Sequence, residues 1–121
     1  MNPGLFVCYN VLGDIMERIE KQMQFILEID KEKQIKRKTL QSNGKDFEDD
    51  AQHAWHMAIM TLLLSEYANE KIDVLKTISM LLIHDLVEID AGDTYAYDDQ
   101  GLKTQSEREN LAANRIFNLL P

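Results

Sequence analysis

The chain is 121 residues long and carries 21 Asp and Glu against 13 Lys and Arg, a formal net charge of −8. One compact domain is the expectation at that length, and a hydrophobic content of 45 % is enough to line its core, which excludes disorder throughout. An acidic chain with a pI near 4.8 is repelled by phosphate polymers, so nucleic-acid binding is excluded as its main task, whereas a small anionic substrate is not.

No stretch approaches the ~20 consecutive apolar residues that cross a bilayer, and the first apolar run, residues 5–12, lacks the basic flank of a secretory signal. It reads as the approach to a helix. Cys8 is the single cysteine, so an internal disulfide and a thiolate cluster are both excluded, and a reducing, cytoplasmic setting is the expectation.

From there the period is helical. Ile15, Ile19, Met23, Ile26 and Leu27 recur at steps of three and four, one face of a helix that Asp14 and Glu17 cap and that runs to about Lys33. The polar stretch 31–50 has no periodic apolar face and holds the turn signal Ser42-Asn43-Gly44, so it reads as a loop or a frayed helix end. Within it Lys36, Arg37 and Lys38 reverse the local charge, which suits either a solvated helix end or a phosphate. Residues 50–67 are apolar on most sides, which predicts a helix in the middle of a bundle, capped by Asp49 or Asp50 and stopped at Asn69. A third helix, nearly all buried, is predicted from Asp73 to Ala91-Gly92, where glycine suits the turn at a helix end. After a polar and aromatic loop over 93–101, Thr104 and Glu107 cap a last helix with Leu111, Ala112, Ile116, Leu119 and Leu120 inward. No strand pattern is found, and the fold class is all-α.

The chemistry lies where polar groups interrupt apolar helices. His84, Asp85 and Glu88 stand in a run of Leu, Ile, Val and Met, where an unpaired charge is expensive. At about 100° per residue the three fall on one narrow stripe. The preceding helix supplies His53 and His56, three positions apart. Two imidazoles and two carboxylates facing one cavity suit a divalent transition ion, Mn, Fe, Co, Ni or Zn, better than Ca. The structural alternative is a set of hydrogen-bonded core histidines. The spacing of His53 and His56 excludes the zinc-protease pattern, which needs its imidazoles four apart.

The strings Asp49-Asp50-Ala51-Gln52-His53-Ala54-Trp55-His56-Met57 and Leu82-Ile83-His84-Asp85-Leu86-Val87-Glu88-Ile89-Asp90-Ala91-Gly92-Asp93 resemble the HD-domain metal-dependent phosphohydrolases, closest to the small bacterial 5′-deoxynucleotidase branch. The resemblance covers roughly residues 26–121. It implies that His53, His84 and Asp85 are metal ligands, that Glu88 and Asp93 are catalytic acids, and that Arg37 faces the substrate phosphate. His56 has no implied ligand role. The implied reaction is hydrolysis of a phosphomonoester, with a nucleoside 5′-monophosphate as the expected substrate and a divalent transition metal as cofactor. Family members carry Glu where this chain has Gln52, and take a fourth ligand, an Asp, from a further C-terminal helix that this chain ends short of. The expected fold is therefore an HD helical bundle truncated at its C-terminal side, with an unpartnered apolar face that predicts a homo-oligomer, a dimer first of all. The rival reading is a helical module that keeps the pocket residues without turnover and acts in self-association.

Overall fold

The computed structural model describes the backbone of residues 3–121 and the side chains from Leu12 onward, so the side chains of Cys8 and of most of the opening apolar run lie outside the described residues. Pro3–Ile29 form one long helix, α1, which tightens into a 3-10 turn over Asp30–Gln34. Asp14 and Glu17 are therefore not a helix start. They sit inside α1, where Glu17 pairs with Lys21 one turn on at 2.7 Å.

The stretch expected to be a loop contains a hairpin. Strand β1, Lys36–Leu40, pairs antiparallel with β2, Phe47–Asp49, with Lys36 opposite Asp49 and Leu40 opposite Phe47. The turn lies where Ser42-Asn43-Gly44 placed it: Gly44 adopts φ 67°, and the Asn43 Oδ1 accepts from the amides of Lys45 and Asp46 at 2.9 and 3.1 Å. Both strands are short and polar, so they carry no apolar alternation for a sequence reading to detect.

Helix α2 spans Asp50–Leu64, and its start is a full capping box: Asp49 accepts from the Gln52 amide at 2.9 Å, and Gln52 accepts from the Asp49 amide at 3.1 Å. It ends in a 3-10 turn over Ser65–Tyr67, short of Asn69. Asp73 caps α3, Val74–Leu81, by accepting from the Lys76 amide at 3.0 Å.

The third helix does not continue to Gly92. Residues 82–87 form successive turns closed by bonds from Ile83 to Met80, Leu86 to Ile83 and Glu88 to Asp85, three residues back instead of four. Helical spacing resumes only in the short α4, Glu88–Ala91. Last comes α5, Asp99–Phe117, capped by Asp98 through the amides of Gln100 and Gly101 rather than by Thr104.

Ala91, Ala112 and Ile116 form a buried cluster backed by Phe25, Val87 and Ile89, which fastens α4 and α5 to the end of α1. Arg115 reinforces the junction, donating to Asp90 and, at 2.7 Å, to Glu28. Arg108 donates to the Ala91 carbonyl and, at 2.7 Å, to the Thr94 hydroxyl, which ties the segment after Gly92 to α5. Expectations of nearly complete burial are corrected: Trp55 is 63 % exposed, Leu63 67 % and Leu75 76 %. Helix α2 buries Ala54 and Ala58 on its packed side and α3 buries no residue fully, whereas the outer apolar residues of both are left open in this chain.

Gly92 ends α4 at φ 72° and ψ 150°, a conformation that residues with a Cβ adopt only at a cost. An added Cβ there would meet nothing within 4 Å, so the cost is confined to the backbone. Gly92→Ala is expected to destabilise the fold by about 1–3 kcal/mol. The check is thermal denaturation followed by circular dichroism, with an unchanged midpoint counting against the assignment.

Candidate metal centre

Three segments converge on one point. The capping box at Asp49 fixes the first turn of α2, and with it the direction of His53. The turns that replace the middle of the third helix carry His84 and Asp85, and α4 begins at Glu88. Strand β1 brings Arg37 in from the opposite side.

His53, His84 and Asp85 each offer a ligand atom within 4.8 Å of the others. The two imidazole rings face each other tilted, 5.7 Å between centroids. His84 donates from Nδ1 to the Leu81 carbonyl at 2.7 Å, because a carbonyl can only accept. Its Nε2 is then the basic nitrogen and lies 3.1 Å from Asp85 Oδ2. His53 Nδ1 is likewise 3.1 Å from the Glu48 carboxylate, which leaves its Nε2 as the donor atom. Two oriented imidazoles and one carboxylate are a donor set that suits a divalent transition ion. The bond from His84 to Leu81 also explains the helix break, since it satisfies a carbonyl at the end of α3.

Around this group the acids are buried. Asp50 is 0 % exposed, and Asp85, Glu88 and Glu32 are almost as enclosed. Arg37 answers part of that charge: its Nη1 donates to Asp50 Oδ1 at 3.1 Å and to Asp85 Oδ2 at 2.8 Å. Burial lowers the pKa of Arg37, yet the Asp85 and Asp50 carboxylates outweigh it and hold the guanidinium above its ordinary value. Burial pushes Glu88 up to about 8, helped by the charges of Asp85, Asp50 and Asp93. Glu88 therefore carries a proton at neutral pH, and its Oε2 and the Asp50 Oδ2 are buried without a hydrogen-bond partner.

Each residue singled out from the sequence thus has a place. His53, His84 and Asp85 come together; Glu88 lies beside them; Arg37 reaches Asp85 directly; and Asp93 is near enough for its charge to act on both Glu88 and Arg37. His56 stands apart, exposed and stacked on Trp55 at 6.2 Å. It lines a groove of about 640 Å³ that runs along α2 past Gln41, Glu48 and Gln52. Gln52, the departure from the family pattern, is used by the capping box and by Gln41 Nε2, which donates to it at 3.1 Å.

Sequence reasoning missed three acids: Glu48, which orients His53; Asp50, which holds Arg37; and Glu32, enclosed in the 3-10 turn after α1. Asp50 was visible only as a possible cap, and nothing in the polar run around Glu32 signals burial. Burial lifts Glu32 to about 7, with the charges of Asp50 and Asp85 adding to it, and one of its carboxyl oxygens has no hydrogen-bond partner. A carboxyl with a raised folded-state pKa favours folding below its unfolded pKa and loses that advantage as pH rises through about 7. In the presence of chelator, Glu32→Gln is expected to match the parent protein near pH 4.5 and to exceed it above pH 7 by on the order of 1–2 kcal/mol. Denaturant unfolding across that range provides the measurement, and equal stabilities at pH 8 would refute the assignment.

Comparison with known proteins agrees with this geometry. The sequence model of the HD domain family matches residues 29–121. A crystal structure of a predicted metal-dependent phosphohydrolase from Magnetospirillum magnetotacticum MS-1 is similar at 50 % identity and a TM-score of 0.80, over 87 % of this chain and 52 % of that one. The chain thus spans about half the length of that relative. No curated protein matches it. Among the described residues no helix is long and apolar enough to cross a membrane. With a family match over most of its length, and with the adjacent pair His84-Asp85 brought within ligand reach of the His53 imidazole on α2, the chain belongs to the HD domain family.

Proposed function

We propose that this chain is the metal-bearing part of a phosphohydrolase that cleaves small phosphomonoesters, nucleoside 5′-monophosphates being the favoured class. The observation that carries the reading is the convergence of His53, His84 and Asp85 on one point beside a buried, protonated Glu88. The relative's description as a predicted metal-dependent phosphohydrolase supports the reaction class. The resemblance to the deoxynucleotidase branch supports the substrate class.

His53 and His84 would hold the cofactor through Nε2, and Asp85 through a carboxylate oxygen. When bound, a divalent transition ion supplies Lewis acidity toward a phosphoryl oxygen and acidifies water. The residues of the chain do the rest. Both ion pairs of Arg37 run through Nη1, so its remaining donors suit a phosphate oxygen arriving at the same place. Glu88 carries its proton in the neutral range and can deliver it to the departing alkoxide. Asp93 helps keep that proton on Glu88 through its negative charge. His84 is exposed, so the centre is open to a ligand from solvent.

The experiment is to supply Mn or Co to the purified chain, measure bound metal, and follow phosphate released from deoxynucleoside monophosphates. Close to one equivalent of metal and phosphate release are expected. Asp85→Asn should lose both, and Glu88→Gln should keep the metal while kcat falls by roughly 10²–10⁴. Less than roughly a tenth of an equivalent of metal together with no phosphate release would overturn the reading.

A second reading, self-association, is favoured by the open apolar residues of α1, α2 and α3, among them Ile19, Met23, Trp55 and Leu75. A molar mass of twice the chain by light scattering is expected on that reading, and a monomer at micromolar concentration would exclude it.

A further inference from the structure

Asp50 has no part in the reaction just proposed, although its carboxylate is the most enclosed acid of the centre, with 0 % exposure. It stands at the first position of α2, directly after the cap Asp49, where the unpaired amides of a helix start favour negative charge. Its Oδ1 accepts from Arg37 Nη1 at 3.1 Å. The same nitrogen donates to Asp85 Oδ2 at 2.8 Å, and that oxygen is the one 3.1 Å from His84 Nε2. One guanidinium nitrogen is therefore shared between a carboxylate that belongs to the metal group and one that does not.

Sharing has an energetic consequence. A cation that approaches Asp85 must compete with Arg37 for Oδ2, and the grip of Arg37 on that oxygen depends on what else holds the guanidinium. With Asp50 ionised, the Arg37 charge is divided between two partners. With Asp50 neutral, it falls on Asp85 alone. We propose that Asp50 is a positioning residue: by anchoring Arg37 it sets how strongly Asp85 is held, and so how readily Asp85 serves a divalent cation. The proposal rests on the metal-centre reading above, and Asp50 needs no contact with the ion.

The test is a double-mutant cycle of Asp50→Asn and Arg37→Gln, read by Co²⁺ titration of the purified full chain through the visible absorption of the bound ion, with folding checked by circular dichroism. Asp50→Asn is expected to weaken Co²⁺ binding about tenfold, the scale of one hydrogen bond to a charged group. Arg37→Gln, which removes the competitor, is expected to tighten it. In the Arg37→Gln background the effect of Asp50→Asn should shrink to about twofold or less. A tenfold loss that persists without Arg37 would mean that Asp50 acts on the cation by its own charge or on the fold, and would overturn the proposal. So would an unchanged affinity in Asp50→Asn. If Asp50→Asn does not fold, Arg37→Gln decides, since unchanged Co²⁺ binding there shows that Arg37 does not restrain Asp85. Failure of the parent chain to bind Co²⁺ at all would instead remove the metal centre on which both readings stand.

Discussion

The structure depends on a half-buried guanidinium among buried carboxylates. Arg37 is the bridge between β1, the start of α2 and the turn that carries Asp85, three segments far apart in the chain. Two ionised acids in an apolar surrounding would repel each other and would each lack a counter-charge, so the bridge fixes their spacing. It does not balance the whole cluster. Glu88 and Glu32 have no such partner, and burial together with the neighbouring carboxylate charges raises their pKa values to about 8 and about 7 respectively. A divalent ion at His53, His84 and Asp85 would add the positive charge that this arrangement still lacks, which ties metal affinity to the stability of the site.

What was legible in the sequence follows from the range of the interactions involved. Caps act within one turn, so a cap at Asp49 or Asp50, a start after Asp73 and an end at Gly92 could be read from neighbours alone, and the structure has Asp49, Asp73 and Gly92 in those places, whereas the caps read at Asp14 with Glu17 and at Thr104 with Glu107 fall inside α1 and α5. The hairpin was not legible. It is held by cross-strand bonds and by Arg37 and Lys36, which reach acids 13 residues away, and its strands bury almost nothing. The break after Leu81 escaped for a related reason: the run from Ile78 to Ile89 is apolar at helical spacing, yet the His84 imidazole takes the Leu81 carbonyl and the backbone tightens into shorter turns.

That break alters the geometry of the centre without undoing it. On a continuous helix His84, Asp85 and Glu88 would share a stripe by angular spacing; in the structure Asp85 and Glu88 are linked by a bond three residues long, and His84 is turned by its own hydrogen bond. His84 and Asp85 still come within ligand reach of His53, and Glu88 stays close enough to Asp85 for its charge to act. Their chemistry was readable because imidazole and carboxylate are costly inside an apolar run whatever the backbone does. Asp50 and Glu32 were not readable, because acids in polar segments look solvated until the tertiary fold encloses them.

Apolar pattern overstated burial in α2 and α3, and the reason bears on function. A helix apolar on most sides signals partners on most sides, but in this chain the small residues Ala54 and Ala58 face the packed side, while Trp55, Leu62 and Leu63 stay open. The centre does not rely on those open faces. Its positions are set by polar links: the Asp49 cap, the Glu48 hold on His53, the Leu81 hold on His84, and Arg37 between Asp50 and Asp85. Directional bonds keep donor atoms within range of one another where packing is thin, because each removes a rotation that an apolar contact would leave. A centre built this way takes its geometry from polar links and not from the open apolar faces.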